Sequence, residues 1–260
     1  MKTLYIFATS HRPDVYINAI AYSIEHLNVG SIHVIVVSEH SYLEEEQKAK
    51  LMATKVVANI NHQLEALHNK KYLDFRKESG NPKSLELNNV DGISIYAKCL
   101  EVINKSGTTG IVIPYSKLDT KLREYIKKGN CTFDLSALKK NLLVDIVAIV
   151  ISYSFSDVYT FELRKKPTFD QNDLYHNLRY DESFIFRNLA DSHLVRNSLR
   201  RISRWSVKTR TILILTVIIS LVFISLSIFW KNSPLLTIFN NLAIIASLGS
   251  YLYLFIKDKF

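Results

Sequence analysis

Apolar residues are distributed along this chain in two patterns. Short unbroken runs suit strands buried on both faces, and between them apolar positions recur every three or four residues, as in helices lying on a sheet. Leu4 to Thr9 is a run of the first kind, broken by Ser10-His11-Arg12-Pro13-Asp14. Val15, Ile17, Ile20, Ile24 and Leu27 then give a helical period, and Ser31 to Ser38 is a second apolar run. A strand, a crossover of about 20 residues and another continuous apolar strand form a βαβ unit with parallel strands. Tyr42 to Tyr72 reads as a long helix, Glu-rich at its start and Lys-rich at its end, as the helix dipole favours. Asp74 to Asn89, with Gly80, Asn81 and Pro82, reads as an exposed loop or insertion. Helices are expected at Gly92–Ile103, Thr120–Lys128 and Lys139–Ser152, and strands at Gly110–Tyr115, Thr132–Leu135 and Asp157–Leu163. This alternation predicts an α/β fold over residues 1–166, a Rossmann-like open and mainly parallel sheet with helices on both faces. Pro167 to Val195 is less regular and is expected to be linker or small helices, part of a connecting segment spanning 167–210.

The pattern changes after that. Thr211 to Trp230 holds 20 residues without a charge, and Asn232 to Ile256 another 25. At about 1.5 Å per residue, the first run spans about 30 Å, the thickness of a hydrocarbon core. Two transmembrane helices, 211–230 and 235–256, joined at Lys231-Asn232-Ser233-Pro234, are therefore expected. The competing reading, two buried core helices, requires an uncharged length that core helices seldom have. Arg196, Arg200, Arg201, Arg204, Lys208 and Arg210 precede the first run, Lys257 and Lys259 follow the second, and only Lys231 lies between. The positive-inside rule then places both termini in the cytoplasm and the short loop outside, the hairpin crossing a cytoplasmic membrane. Trp205 and Trp230 bracket the first span, and Tyr251 and Tyr253 lie near the inner end of the second, as interfacial residues would. Ser247, Gly249 and Ser250 suit packing within one hairpin, or a homo-oligomer with Asn240 and Asn241 in a polar seam. With no Asp, Glu, Lys or Arg in either span, a proton relay or transporter is disfavoured.

Charge sharpens this division. The net charge is +9, yet nine bases and a single acid lie beyond Val195, leaving 24 bases and 23 acids in the head. The basic excess thus belongs beside lipid and gives no case for a polyanion grip by the head. Two cysteines, Cys99 and Cys131, are too few for a disulfide framework and suit a reducing compartment. The apolar run after Met1-Lys2-Thr3 is too short for a signal-peptide core, so the head is expected to stay where it is made.

In open α/β sheets, ligands collect outside the carboxyl ends of the strands. Two segments there carry candidate chemistry. Ser10, His11 and Arg12 follow the first strand and open a helix, a combination suited to phosphate, although Ser10 and Asp14 also suit plain helix caps. Asp134, Ser136 and Lys139 likewise end a strand and begin a helix, where Ser136 is equally suited to capping. The eight His form no HxH or HxxxH pair, and there is no P-loop, GxGxxG or GxSxG. No metal, cofactor or catalytic machinery is expected.

Asp134-Leu135-Ser136, with Lys139 or Lys140 and then Val158-Tyr159-Thr160-Phe161-Glu162, resembles the Rossmann-like sensor domains of bacterial antiphage systems, the CARF group. There an Asp-x-(Ser/Thr) turn and a Lys bind ligand before a similar strand, and the loop Thr9 to Asp14 matches the group's other ligand loop. Ala137 and Leu138 stand where that group has a turn glycine. The layout of a head followed by two C-terminal spans resembles the two-helix membrane effectors that accompany retrons. These resemblances imply a triggered effector, with a cyclic oligonucleotide, or a reverse transcriptase with its DNA–RNA hybrid, as partner of the head. Inner-membrane lipids would be the target, and disruption of the membrane would stop phage propagation. The alternatives are a membrane-tethered nucleotide-processing enzyme and a passive anchor protein.

Overall fold

Strands β1 (Lys2–Phe7) and β2 (Val29–Ser38) lie side by side in parallel, joined by helix α1 (Asp14–His26). The computed structural model describes residues 1–39, 42–75, 82–153, 157–168 and 170–191. The chain divides into two units, Met1–Leu199 and Arg200–Phe260. The second, with the expected spans and the basic residues Arg200, Arg201, Arg204, Lys208 and Arg210, lies outside the described residues. Among the described residues, no helix is long and apolar enough to cross a membrane.

After β2 come α2 (Leu43–His68), a hairpin of β3 (Lys71–Asp74) and β4 (Lys83–Glu86), α3 (Ser94–Ser106) and β5 (Thr108–Pro114). The chain continues through α4 (Leu118–Lys128), β6 (Cys131–Asp134), α5 (Lys140–Ser152) and β7 (Val158–Leu163) to β8 (Phe184–Asn188). The main sheet has six strands in the order β5-β2-β1-β6-β7-β8. All neighbours are parallel except β7 and β8. The strand order reverses between β1 and β6, so this Rossmann-like sheet has its topological switch point there.

Side-chain alternation explains the unbroken apolar runs. Leu4 and Ile6 of β1, and Ile32, Val34 and Val36 of β2, pack beneath α1, α2 and α3. Tyr5, Phe7 and Ile35 point the other way, into a core shared with α4 and α5. Strands covered on both faces need apolar residues at every position, and each large side chain buried contributes about 1.5–3 kcal/mol. A third cluster, with Ala19, Phe161, Phe184 and Phe186 at its centre, packs α1 against β7 and β8.

Two expectations are corrected. The segment 74–89, read as a loop, carries β4, which pairs with β3 from Lys71–Glu86 to Asp74–Lys83. The long helix stops at His68 because Lys70 takes a left-handed conformation, φ 60°, and turns the chain into that hairpin. The segment from Pro167 onward, read as linker or small helices, does hold short 3-10 helices at Gln171–Asp173, Tyr175–Asn177 and Leu189–Asp191. It also supplies β8, antiparallel to β7 from Tyr159–Asn188 to Leu163–Phe184, so the sheet extends past residue 166. At the other edge, a Cβ on Gly110 would lie 3.1 Å from the Ala53 Cβ, so the bare backbone of β5 is what lets α2 pack so closely.

Candidate functional site

The switch point brings both candidate segments together. Ile6 of β1 pairs with Asp134 of β6, so the loops that leave the carboxyl ends of these strands are neighbours. They touch directly, the Thr9 hydroxyl donating to the carbonyl of Ala137.

The first loop is held by its own side chains. The Tyr16 hydroxyl donates to the Ser10 carbonyl at 2.7 Å and accepts from the Ser10 N–H at 3.1 Å. Ser10 Oγ accepts from the Arg12 N–H, and Asn59 Nδ2 donates to the His11 carbonyl at 2.8 Å. His11 Nε2 is buried and has no hydrogen-bond partner among the described residues. The N-cap of α1 is Pro13, with no side-chain cap, so neither Ser10 nor Asp14 caps it. Asp14 sits in the first turn, where its carboxylate accepts from Gln63 Nε2 and the Tyr72 hydroxyl.

The second loop is organised around Asp134, which is fully buried. Phe133 and Leu135 face the α4–α5 core, so alternation turns Asp134 towards α1, and its charge acts on Tyr16 there. Ser136 does not cap a helix. Its hydroxyl donates to Asp134 Oδ1 and accepts from the Phe161 N–H at 2.6 Å, tying β6 to β7. Asp134 Oδ2 has no hydrogen-bond partner among the described residues. Burial pushes this carboxyl up to about 7, against the pull of Ser136 in the other direction.

A crevice of about 290 Å³ opens at the carboxyl ends of β1 and β2, between the starts of α2 and α5. Its polar lining comprises the Thr9 and Ser38 hydroxyls, the Glu39 and Glu45 carboxylates, and the Lys48 and Lys139 ammonium groups. Lys139 reaches across to Glu39 at 3.2 Å, with more than half of each side chain exposed. Such a pair is worth under about 1 kcal/mol, so a phosphate can replace Glu39 at little cost. No family model, curated protein or solved structure matches the chain. The crevice's chemistry therefore rests on its own residues.

Of the six candidate residues, Lys139 lines this crevice, whereas Ser136 lines a second cavity of about 230 Å³ with Asp14, Asn18 and Asp173. Ser10, His11, Arg12 and Asp134 line neither; they shape and support the loops. Sequence reading missed Thr9's role as the contact between loops, and missed Glu39 and Lys48 altogether. Glu39's only signal was its place directly after β2, and Lys48, in the second turn of α2, carried none. Asp173 carried none, because Asn18 joins it to α1 across 155 residues, Nδ2 donating to its carbonyl at 2.7 Å.

Among the described residues, no three His, Cys, Asp or Glu side chains are grouped to hold a metal. Burial pushes the Cys99 thiol up to about 12 and Cys131 to about 11, which leaves neither as a thiolate nucleophile. The crevice offers two ammonium groups and two hydroxyls beside two carboxylates.

Proposed function

We propose that this chain is a membrane-anchored effector of antiphage defence. Its Rossmann-like head senses a trigger at the switch point, and its two C-terminal apolar runs act on the inner membrane. The observation that carries the reading is the crevice between β1, β2 and α5, placed where such sheets take nucleotides, in a chain that ends in uncharged runs of 20 and 25 residues. A phosphorylated trigger would draw Lys139 from Glu39 and load the loop that Thr9 and Ala137 hold together. A cyclic oligonucleotide would offer one of its phosphates to Lys139, since about 290 Å³ takes a phosphate group and not the whole ring. A reverse transcriptase with its DNA–RNA hybrid would instead act by docking on the head. The defence setting itself rests on resemblance of layout, an associational warrant.

The test is membrane potential, read with a dye in cells expressing the full chain or residues 1–199, with and without phage. Depolarisation by the full chain alone, stronger on infection, is the expected result. Unchanged potential in every case would overturn the reading and favour an enzyme or a passive anchor.

A further inference from the structure

The second cavity lies between the start of α1, the end of β7, Pro167 and Asp173. The loop contact divides the two sites, since Thr9 and Lys139 line the crevice while Asp14 and Ser136 line this cavity. Its walls are apolar, from Val15, Phe161, Leu163 and Pro167. Its charged lining is acidic, from Asp14 and Asp173.

The polar groups offer acceptors. Asn18 is committed to backbone, donating to the Asp173 carbonyl and accepting from the Tyr175 N–H at 2.8 Å. The Ser136 hydroxyl is held between Asp134 and Phe161. Asp173 accepts from the Thr168 N–H at 2.6 Å and lies 3.3 Å from Lys165 Nζ. Asp14 takes one hydrogen bond on each oxygen, from Gln63 at 3.2 Å and Tyr72 at 3.0 Å. A carboxylate accepts at about four sites, so Asp14 keeps capacity for two more donors. Lys165 offsets Asp173, but Asp14 is bonded only by the neutral Gln63 and Tyr72, so the lining keeps an acidic excess that disfavours a phosphate. A volume of about 230 Å³ is also below the usual range for a whole ligand of drug size. A single flat ring system bearing adjacent N–H donors matches the space, the walls and the acceptors together.

We propose that this cavity is a subsite for a guanine-type base, with its N1–H and exocyclic amine held by Asp14 and its ring beside Phe161. The inference stands apart from the effector reading. A head that binds guanosine and leaves the membrane untouched would satisfy it.

The test is calorimetric titration of the full chain in micelles with guanosine, inosine and xanthosine. Inosine lacks the exocyclic amine, and xanthosine presents a carbonyl in its place. Guanosine should bind saturably, inosine at least about tenfold more weakly, and xanthosine weakest of the three, as expected for loss of a hydrogen bond to a charged acceptor. Asp14→Asn should weaken guanosine about tenfold. Because that change touches the Gln63 and Tyr72 bonds, Val15→Trp is the second variant. Val15 is 38% exposed at the cavity, so a larger side chain there fills the space without repacking the core. No saturable guanosine binding, equal binding of the three nucleosides, or full affinity in Val15→Trp would each overturn the proposal.

Discussion

Replacing Asp134 by Asn should remove a pH dependence built into the head. The carboxyl is fully buried and held at about 7 against an ordinary 3.8. A raised folded-state pKa means that the native protein binds the proton more tightly than the unfolded chain. The resulting stability is fully present below pH 3.8 and is lost as pH rises through about 7. The whole effect is on the order of 4 kcal/mol, and about 2.5 kcal/mol of it disappears between pH 5 and 8. Asn is close in shape, can still accept from Ser136 and cannot ionise. The variant should therefore gain about 2.5 kcal/mol relative to the native protein across that interval, whatever its offset at pH 5. Asp14, held at about 6, titrates in the same window, but it is present in both proteins and cancels in the difference. Twelve of the 14 tyrosines lie at or before Tyr180, so near-ultraviolet circular dichroism of tyrosine follows chiefly the head during urea unfolding of the full chain in micelles. Parallel stability profiles for the two proteins from pH 5 to 8 would refute the reasoning.

Ser136→Ala leaves the Phe161 N–H without its acceptor and Asp134 without its donor, and should cost about 2–4 kcal/mol in the same unfolding measurement. Gly110→Val places a side chain against Ala53 and should cost about 1–3 kcal/mol, read by the midpoint of thermal unfolding. Lys139→Ala removes an exposed pair and should change stability by less than about 1 kcal/mol. Its affinity for a fluorescent nucleotide, followed by anisotropy, should fall roughly tenfold, since a charge-assisted hydrogen bond to phosphate is lost.

The parallel strands were legible because they are covered on both faces. Leu4 to Phe7 and Val34 to Val36 have no solvent side to write into the sequence. The β3–β4 hairpin was not, because Lys71-Tyr72-Leu73-Asp74 and Lys83-Ser84-Leu85-Glu86 are short and polar enough to pass for loop. Strand β8 did carry a period of two, with Phe184 and Phe186 buried and Arg187 exposed, but five residues within a polar, aromatic stretch were too few to stand out. At the site, nearness to a strand end identified the right loops. It did not tell lining from support, because that depends on which way each side chain turns once β1 and β6 are adjacent. Ser136 suited a cap by type, yet it bridges β6 to β7, a role visible only when residue 161 lies beside it.

The place of β8 has a mechanical consequence. It is the rim strand of the sheet, and the last described strand before the chain runs on past Asp191. Traction from that direction reaches the sheet first at Asn188, whose partner is Tyr159. Tyr159 is also paired with Asp134, and its carbonyl accepts from the Leu135 N–H at 2.9 Å. The first rung to peel is thus one rung from the buried carboxyl. Tension on the tail would therefore load the bonds that fix Asp134 and Leu135 as soon as the edge of the sheet opens.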